Sequence, residues 1–243
     1  MQPRRLPFLL LSILVLALLL AAAGWRLASR VGRVSVTAPA AQAAKAKAPD
    51  NNIPVGDPVD VFRAAKTTEA RAETLGRFMA LGHERNPAML TDALRDPDVK
   101  LRLSAVEYTA SLTPLEACEV YRASCINDQS DIREMTWSLL APHPEANRAL
   151  VYGQGLAKGT PQIIEETLSE MGRQPGRILF EEMLNQTLKS TEPARTQRLL
   201  RELQQWLVPG GGEIPQFPTP NAVAGWWERH RTNYDEYMLR VDL

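Results

Sequence analysis

The side chains that could do acid, base, nucleophilic or metal chemistry are few in this chain of 243 residues, which has three His and two Cys. His83, His143 and His230 have no His or Cys neighbour at metal-ligand spacing, which argues against a zinc site. Cys118 and Cys125 fall on one predicted helix, where seven positions separate Cα atoms by about 10 Å, beyond the roughly 7 Å reach of a disulfide. They read as separate buried thiols; a bridge would require the helix to break near Ala123. Glu165-Glu166 and Glu181-Glu182 are paired carboxylates in sequence only. Adjacent helical positions diverge by about 100°, so solvated faces are expected rather than an acid/base couple. Gly153-Gln154-Gly155-Leu156-Ala157-Lys158-Gly159-Thr160 invites a phosphate-loop reading and fails it. Such a loop ends in Gly-Lys-Thr, whereas this stretch ends Lys158-Gly159-Thr160 and follows a helical segment, not a strand. It is expected to be a glycine-rich turn between helices. No Gly-x-Ser-x-Gly nucleophile elbow occurs. The sequence therefore assigns no catalytic residue, no cofactor and no metal.

The charges give a second exclusion. Lys and Arg number 28 and Asp and Glu 28, and 44% of the residues are hydrophobic. The segment 58–208 carries 18 basic and 21 acidic side chains, a balance of −3. Nothing here resembles the basic stripe that phosphates require, so nucleic acid is excluded as a partner class.

The N-terminus points to a membrane. Arg4 and Arg5 close a short tail, residues 1–5, ahead of an apolar run over 6–25 broken only by Pro7, Ser12 and Gly24. Twenty helical residues span about 30 Å, the thickness of a bilayer core. Ala21-Ala22-Ala23 also fits signal cleavage before Gly24, but Trp25 and Arg26 suit an interfacial stop and an uncleaved signal-anchor better. Arg26, Arg30 and Arg33 balance Arg4 and Arg5, so charge alone does not orient the anchor. The very short basic tail favours export of the C-terminal body: a single-pass protein of the inner (cytoplasmic) membrane with its body in the periplasm. Residues 26–57, Ala- and Pro-rich, read as a flexible tether.

From 58 to 208 the pattern is helical throughout. Asn86-Pro87, Asp96-Pro97, Thr113-Pro114 and Thr160-Pro161 each place a capping side chain before a proline suited to the first helical turn. Thr113 and Glu116 complete a capping box. Pro97, Gln129, Pro161 and Pro193 mark a period of about 32 residues. Core-type positions follow at Val99, Ile132, Ile164 and Thr196; Leu103, Thr136, Leu168 and Leu200; and Val106, Leu139, Met171 and Leu203, in steps of 33, 32 and 32. Within each unit they lie at i, i+4 and i+7, one helical face. The preceding helices are shorter, for example Pro87–Arg95 and Pro114–Ile126. Two helices per unit predict an all-α fold: an α-solenoid of four to five helix pairs, each burying its face against its neighbours.

One unit carries a family resemblance. Leu90-Thr-Asp-Ala-Leu-Arg-Asp-Pro-Asp-Val-Lys-Leu-Arg-Leu-Ser-Ala-Val resembles a HEAT-type repeat, with an apolar first helix, an Asp/Pro turn, then Val, a basic residue and Ala on the second helix. Ile126–Leu139 keeps Asp128, Ile132 and Arg133, with Thr136 in place of an aliphatic; the later units keep only the period. The resemblance extends over roughly 58–207. It implies that the second helices, Asp98–Leu112, Ile132–Ala141, Pro161–Arg173 and Ala194–Leu207, line a surface for a protein partner. Some HEAT-type proteins are pigment lyases, and related repeats occur on metal-dependent hydroxylases. A subunit of an enzyme complex is therefore the alternative, although the repeated His-Glu pairs of the hydroxylases reduce here to His83-Glu84.

Residues 209–220 (PGGGEIPQFPTP) end the repeats as a Pro/Gly linker. Asn221 is expected to cap a last segment, 221–243, in which Val223, Trp226, Trp227, His230, Tyr234, Tyr237 and Met238 recur at helical spacing. That aromatic stripe reads in two ways. It docks on the final repeat and caps it, or Trp226, Trp227, Tyr234 and Tyr237 form a partner-binding face, as Trp and Tyr dominate interface hot spots. The function expected from the whole is a non-catalytic, membrane-tethered adaptor or scaffold that binds a protein partner in the bacterial envelope.

Overall fold

The computed structural model describes residues 56–207 and 216–241, and the expected anchor over 6–25 lies outside them. Among the described residues the fold is all-α. The helices are α1 Pro58–Ala64, α2 Thr68–Leu81, α3 Asn86–Ala93, α4 Val99–Glu107, α5 Pro114–Ser124, α6 Ser130–Leu140, α7 Glu145–Lys158, α8 Pro161–Arg173, α9 Arg177–Lys189, α10 Pro193–Trp206 and α11 Pro220–His230. Short 3-10 turns extend α4 over Tyr108–Ser111 and α11 over Arg231–Asn233. No described helix is long and apolar enough to cross a membrane.

Odd-numbered helices form one layer, each packing on the next: α1 on α3, α3 on α5, α5 on α7, α7 on α9 and α9 on α11. Even-numbered helices form the other. There α4 packs on α2 and α6, while α6, α8 and α10 stand further apart. A single core runs between the layers, through Leu90, Tyr121, Ile132, Leu156, Met171, Phe180 and Leu203.

The period is present, but its phase differs from the proline spacing. The second-layer helices are capped at Thr67, Asp98, Gln129, Thr160 and Glu192, in steps of 31, 31, 31 and 32. Pro97 stands before its cap, whereas Pro161 and Pro193 stand after theirs, so aligning prolines misphases the first unit. Counted from the caps, buried side chains fall into register over the middle three units. Leu101, Ile132 and Ile163 are equivalent and buried, as are Ala105, Thr136 and Thr167. Val99, Leu103, Leu139, Thr196 and Leu200, all read as core from the sequence, are only half-buried.

Local chemistry explains the boundaries. Thr113 and Glu116 form the expected capping box: the Glu116 carboxylate accepts from Thr113 N at 2.9 Å. Thr160 caps α8 with Pro161 at its first position. Asp98, not Asp96, caps α4, and Asp96 instead accepts the Asp98 N–H at 2.9 Å. Asn86 lies inside α3, where its Nδ2 donates to the carbonyl of Phe78 at 2.9 Å. The helices at Pro87 and Pro114 end at Ala93 and Ser124. Thr219, not Asn221, caps α11.

The expected glycine turn is the largest local correction. Helix α7 continues through Gly153 and Gly155, and only Gly159-Thr160 form the turn. A Cβ on Gly155 would lie 2.5 Å from Thr167 Oγ1 on α8, and one on Gly153 would overlap the Glu182 carboxylate on α9. These glycines serve close packing, a tertiary need that outweighs their low helix propensity.

Candidate functional site

The neighbouring second-layer helices are held by charge. Arg133 on α6 donates from Nε and Nη2 to both Glu166 oxygens on α8, at 2.7 and 2.8 Å. Its Nη1 donates to the carbonyl of Asn127 at 2.8 Å, within the loop before α6. Arg198 on α10 grips Glu165 on α8 in the same forked way, at 2.6 and 2.9 Å. Glu165 and Glu166 are therefore ion-pair partners of two different neighbours, not simply solvated. Those hydrogen bonds hold both carboxyls below the usual range, against the opposing effect of burial. Arg102 to Asp128 at 3.0 Å extends the same device to the loop after α5.

Two grooves open on this layer, one on each side of α6. The first, about 710 Å³, lies between α6 and α8. Trp137 and Tyr152 lie in its wall with ring centroids 5.5 Å apart, and both residues are buried. Glu134, Glu165, Glu166 and Glu170 line it, with Arg173 at one side. Three of those carboxylates are spent internally: Glu165 on Arg198, Glu166 on Arg133, and Glu170 on Arg173 at 2.7 Å.

The second groove, about 540 Å³, lies between α4 and α6. Half-buried Leu103, Met135 and Leu139 form its apolar lining and rest on the core. Exposed Glu107, Asp131 and Glu134 line it as well, and among the described residues none of the three pairs with a cation. Glu134 and Ser138 border both grooves, which makes α6 the ridge of one continuous surface. The misphasing by prolines hid this site, since Leu103 and Leu139 fit the apolar pattern that predicts a core.

The aromatic tail lies elsewhere, at the end of the array. Trp227 is buried, its ring 4.5 Å from that of Phe180, and its Nε1 donates to Glu181 at 3.3 Å. Tyr234 is buried and donates from its hydroxyl to the carbonyl of Leu207 at 3.0 Å. Trp226 is half-buried and stacks on His230 at 4.3 Å. Of the four candidate partner-binding aromatics, these three are engaged within the chain and Tyr237 is 61% exposed. The segment is not helical to its end. After Asn233 it turns at Asp235, whose Oδ1 accepts from Tyr237 N and Leu239 N, and an isolated antiparallel bridge joins Tyr234 to Arg240. The Arg177 N–H at the start of α9 donates to the carbonyl of Glu236 at 3.0 Å, which fixes this turn against the last helix pair.

Cys118 and Cys125 are free and buried. Burial raises both thiol pKa values, that of Cys125 to about 12. Such thiols are poor nucleophiles and poor metal ligands. Among the described residues, no three His, Cys, Asp or Glu side chains are grouped to hold a metal ion. Comparison with protein-family models, with curated proteins and with solved structures found no match.

Proposed function

We propose that the chain is a membrane-tethered helical-repeat adaptor, an α-solenoid of HEAT type whose second-layer surface receives a protein partner in the bacterial envelope. The apolar run over 6–25 serves as its signal-anchor and 26–57 as its tether, with the body on the periplasmic side. The observation that carries the reading is the pair of grooves flanking α6, a helix tied to α8 by the ion pair of buried Arg133 with half-buried Glu166. Rigid elements presenting a continuous part-apolar, part-polar surface are what a protein interface requires. The paired carboxylates in the first groove are neutralised by arginines, which suits structure and recognition better than proton transfer.

The test is site-specific photo-crosslinking in the full chain, in membranes of a bacterial host. A photoreactive residue at Ser138, exposed on the ridge, is expected to give a discrete cross-linked protein. The same residue at Leu115, 66% exposed on the other layer, serves as the control. No product at Ser138, or equal products at both sites, rejects the adaptor reading. A C-terminal alkaline phosphatase fusion tests the orientation separately, and an inactive fusion would place the body on the cytoplasmic side.

A further inference from the structure

We infer that the groove between α4 and α6 receives a basic amphipathic helix of the partner, its apolar face on Leu103, Met135 and Leu139 and its Lys or Arg side chains against Glu107, Asp131 and Glu134. The inference rests on the adaptor reading and gives the partner's chemistry.

Three observations lead to this occupant. The first is unmatched charge. The arginines nearest in sequence are committed elsewhere, Arg102 to Asp128 and Arg133 to Glu166, and Lys100 does not line the groove. Among the described residues the lining thus carries three carboxylates and no cation. Like charges gathered around an apolar strip repel one another, and an incoming cation relieves that repulsion.

The second is the arrangement of the apolar strip. Leu103 and Glu107 are i and i+4 on α4; Met135 and Leu139, and Asp131 and Met135, are i and i+4 on α6. Each wall sets acidic side chains beside apolar ones along one helix face. A helix laid between two such walls offers anchors at i, i+3, i+4 and i+7, with its cations at the flanking positions. An acidic or purely apolar segment leaves the carboxylates desolvated without partners, a costly outcome.

The third is the contrast with the neighbouring groove. There Glu165, Glu166 and Glu170 are already neutralised by arginines of this chain. Of its four glutamates, Glu134, shared by both grooves, is the one without an ion pair among the described residues. The charge demand is therefore local to the α4/α6 groove.

The experiment is fluorescence anisotropy on the full chain in nanodiscs of zwitterionic lipid, with empty nanodiscs subtracted. The probes are a labelled Lys/Leu amphipathic peptide, a Lys/Ser peptide of equal charge and a Glu/Leu peptide of equal hydrophobicity. The Lys/Leu peptide is expected to bind most tightly. Glu107→Gln/Asp131→Asn/Glu134→Gln and Met135→Ser are each expected to weaken it at least about tenfold. Circular dichroism of both variants confirms that they fold. Equal binding of the Lys/Ser peptide, or affinity unchanged in either folded variant, overturns the inference. So does absence of Lys/Leu binding. If Ser138 still cross-links to a protein in that last case, the adaptor reading stands and only the basic-helix occupant falls. If neither occurs, both fall.

Discussion

Arg133 and Glu166, thirty-three residues apart, meet through two hydrogen bonds of 2.7 and 2.8 Å, and the arginine side chain is only 4% exposed. Each residue belongs to a different helix pair, so the contact fastens one unit to the next. Where helix pairs stack on one another, stability is set by such nearest-neighbour terms as much as by the units themselves.

Breaking that pair is expected to cost more than replacing it. Glu166→Ala leaves a buried guanidinium with only the carbonyls of Asn127 and Asp128, and should cost about 3 kcal/mol. The double variant Arg133→Met/Glu166→Leu should recover most of the loss, because no buried charge remains. Urea unfolding of the wild type, Glu166→Ala and the double variant checks this; equal midpoints for Glu166→Ala and the wild type would show that the pair contributes nothing.

The same carboxylates predict how stability depends on pH. Glu165 and Glu166 have folded pKa values below their ordinary 4.5, chiefly because Arg198 and Arg133 hydrogen-bond their charged forms. A depressed folded pKa adds stability that is fully present above the unfolded value and is lost as pH falls through the folded one. The urea midpoint should therefore hold near neutrality and decline below about pH 4.5. In Glu165→Gln/Glu166→Gln that decline should be shallower. An identical acid limb in the variant would assign the loss to other groups.

These contacts also mark where sequence reasoning ended. The capping box at Thr113 and Glu116 and the cap at Thr160 are local, formed within four residues, and were legible. The two-helix period was legible because apolar spacing follows the backbone geometry. Its phase was not, since Pro97 precedes Asp98 whereas Pro161 follows Thr160. The groove between α4 and α6 was lost with the phase: Leu103 and Leu139 look the same in sequence whether they face a core or a partner. The ion-pair ladder was out of reach as well, because nothing near Glu165 or Glu166 indicates that one binds Arg198 and the other Arg133. The final turn at Asp235 was read as helix, its aromatics matching helical spacing by coincidence.

Two glycines on adjoining helices should respond in opposite directions to alanine. Gly172 in α8 has nothing within 4 Å of an added Cβ, so Gly172→Ala gains helix propensity, up to about 1 kcal/mol. Gly155→Ala drives a methyl into Thr167, which is itself fully buried, and should cost about 1–3 kcal/mol despite the same propensity gain. Thermal denaturation decides it. A rise in Tm for both variants would mean that α7 and α8 separate at little cost.

Thiol labelling should report global opening. Cys125 is fully buried and its pKa is pushed up to about 12, while Cys118 is 2% exposed. Since the thiolate is the reactive form, both should resist iodoacetamide at pH 8 in the native protein and react together on unfolding. The counted modifications, read by mass spectrometry along a urea gradient, should track the circular dichroism transition. A thiol labelled before that transition would reveal local opening of α5.

The tail separates a structural role from an exposed one within a few residues. Trp227 and Tyr234 are buried against the last helix pair, whereas Tyr237 is 61% exposed. Trp227→Ala removes a large core side chain and leaves Glu181 without its indole donor, so a loss of about 3–5 kcal/mol is expected. Tyr234→Phe deletes one buried hydrogen bond to Leu207 and should cost about 1 kcal/mol. Tyr237→Ser should change stability by less than about 0.5 kcal/mol. Because Tyr237 is exposed, its substitution can be read more cleanly in a binding assay than that of Trp227 or Tyr234. Reduced cross-linking at Ser138 in Tyr237→Ser, at unchanged Tm, would show that the partner reaches the end of the array as well as the α6 ridge. Unchanged cross-linking would confine it to the grooves.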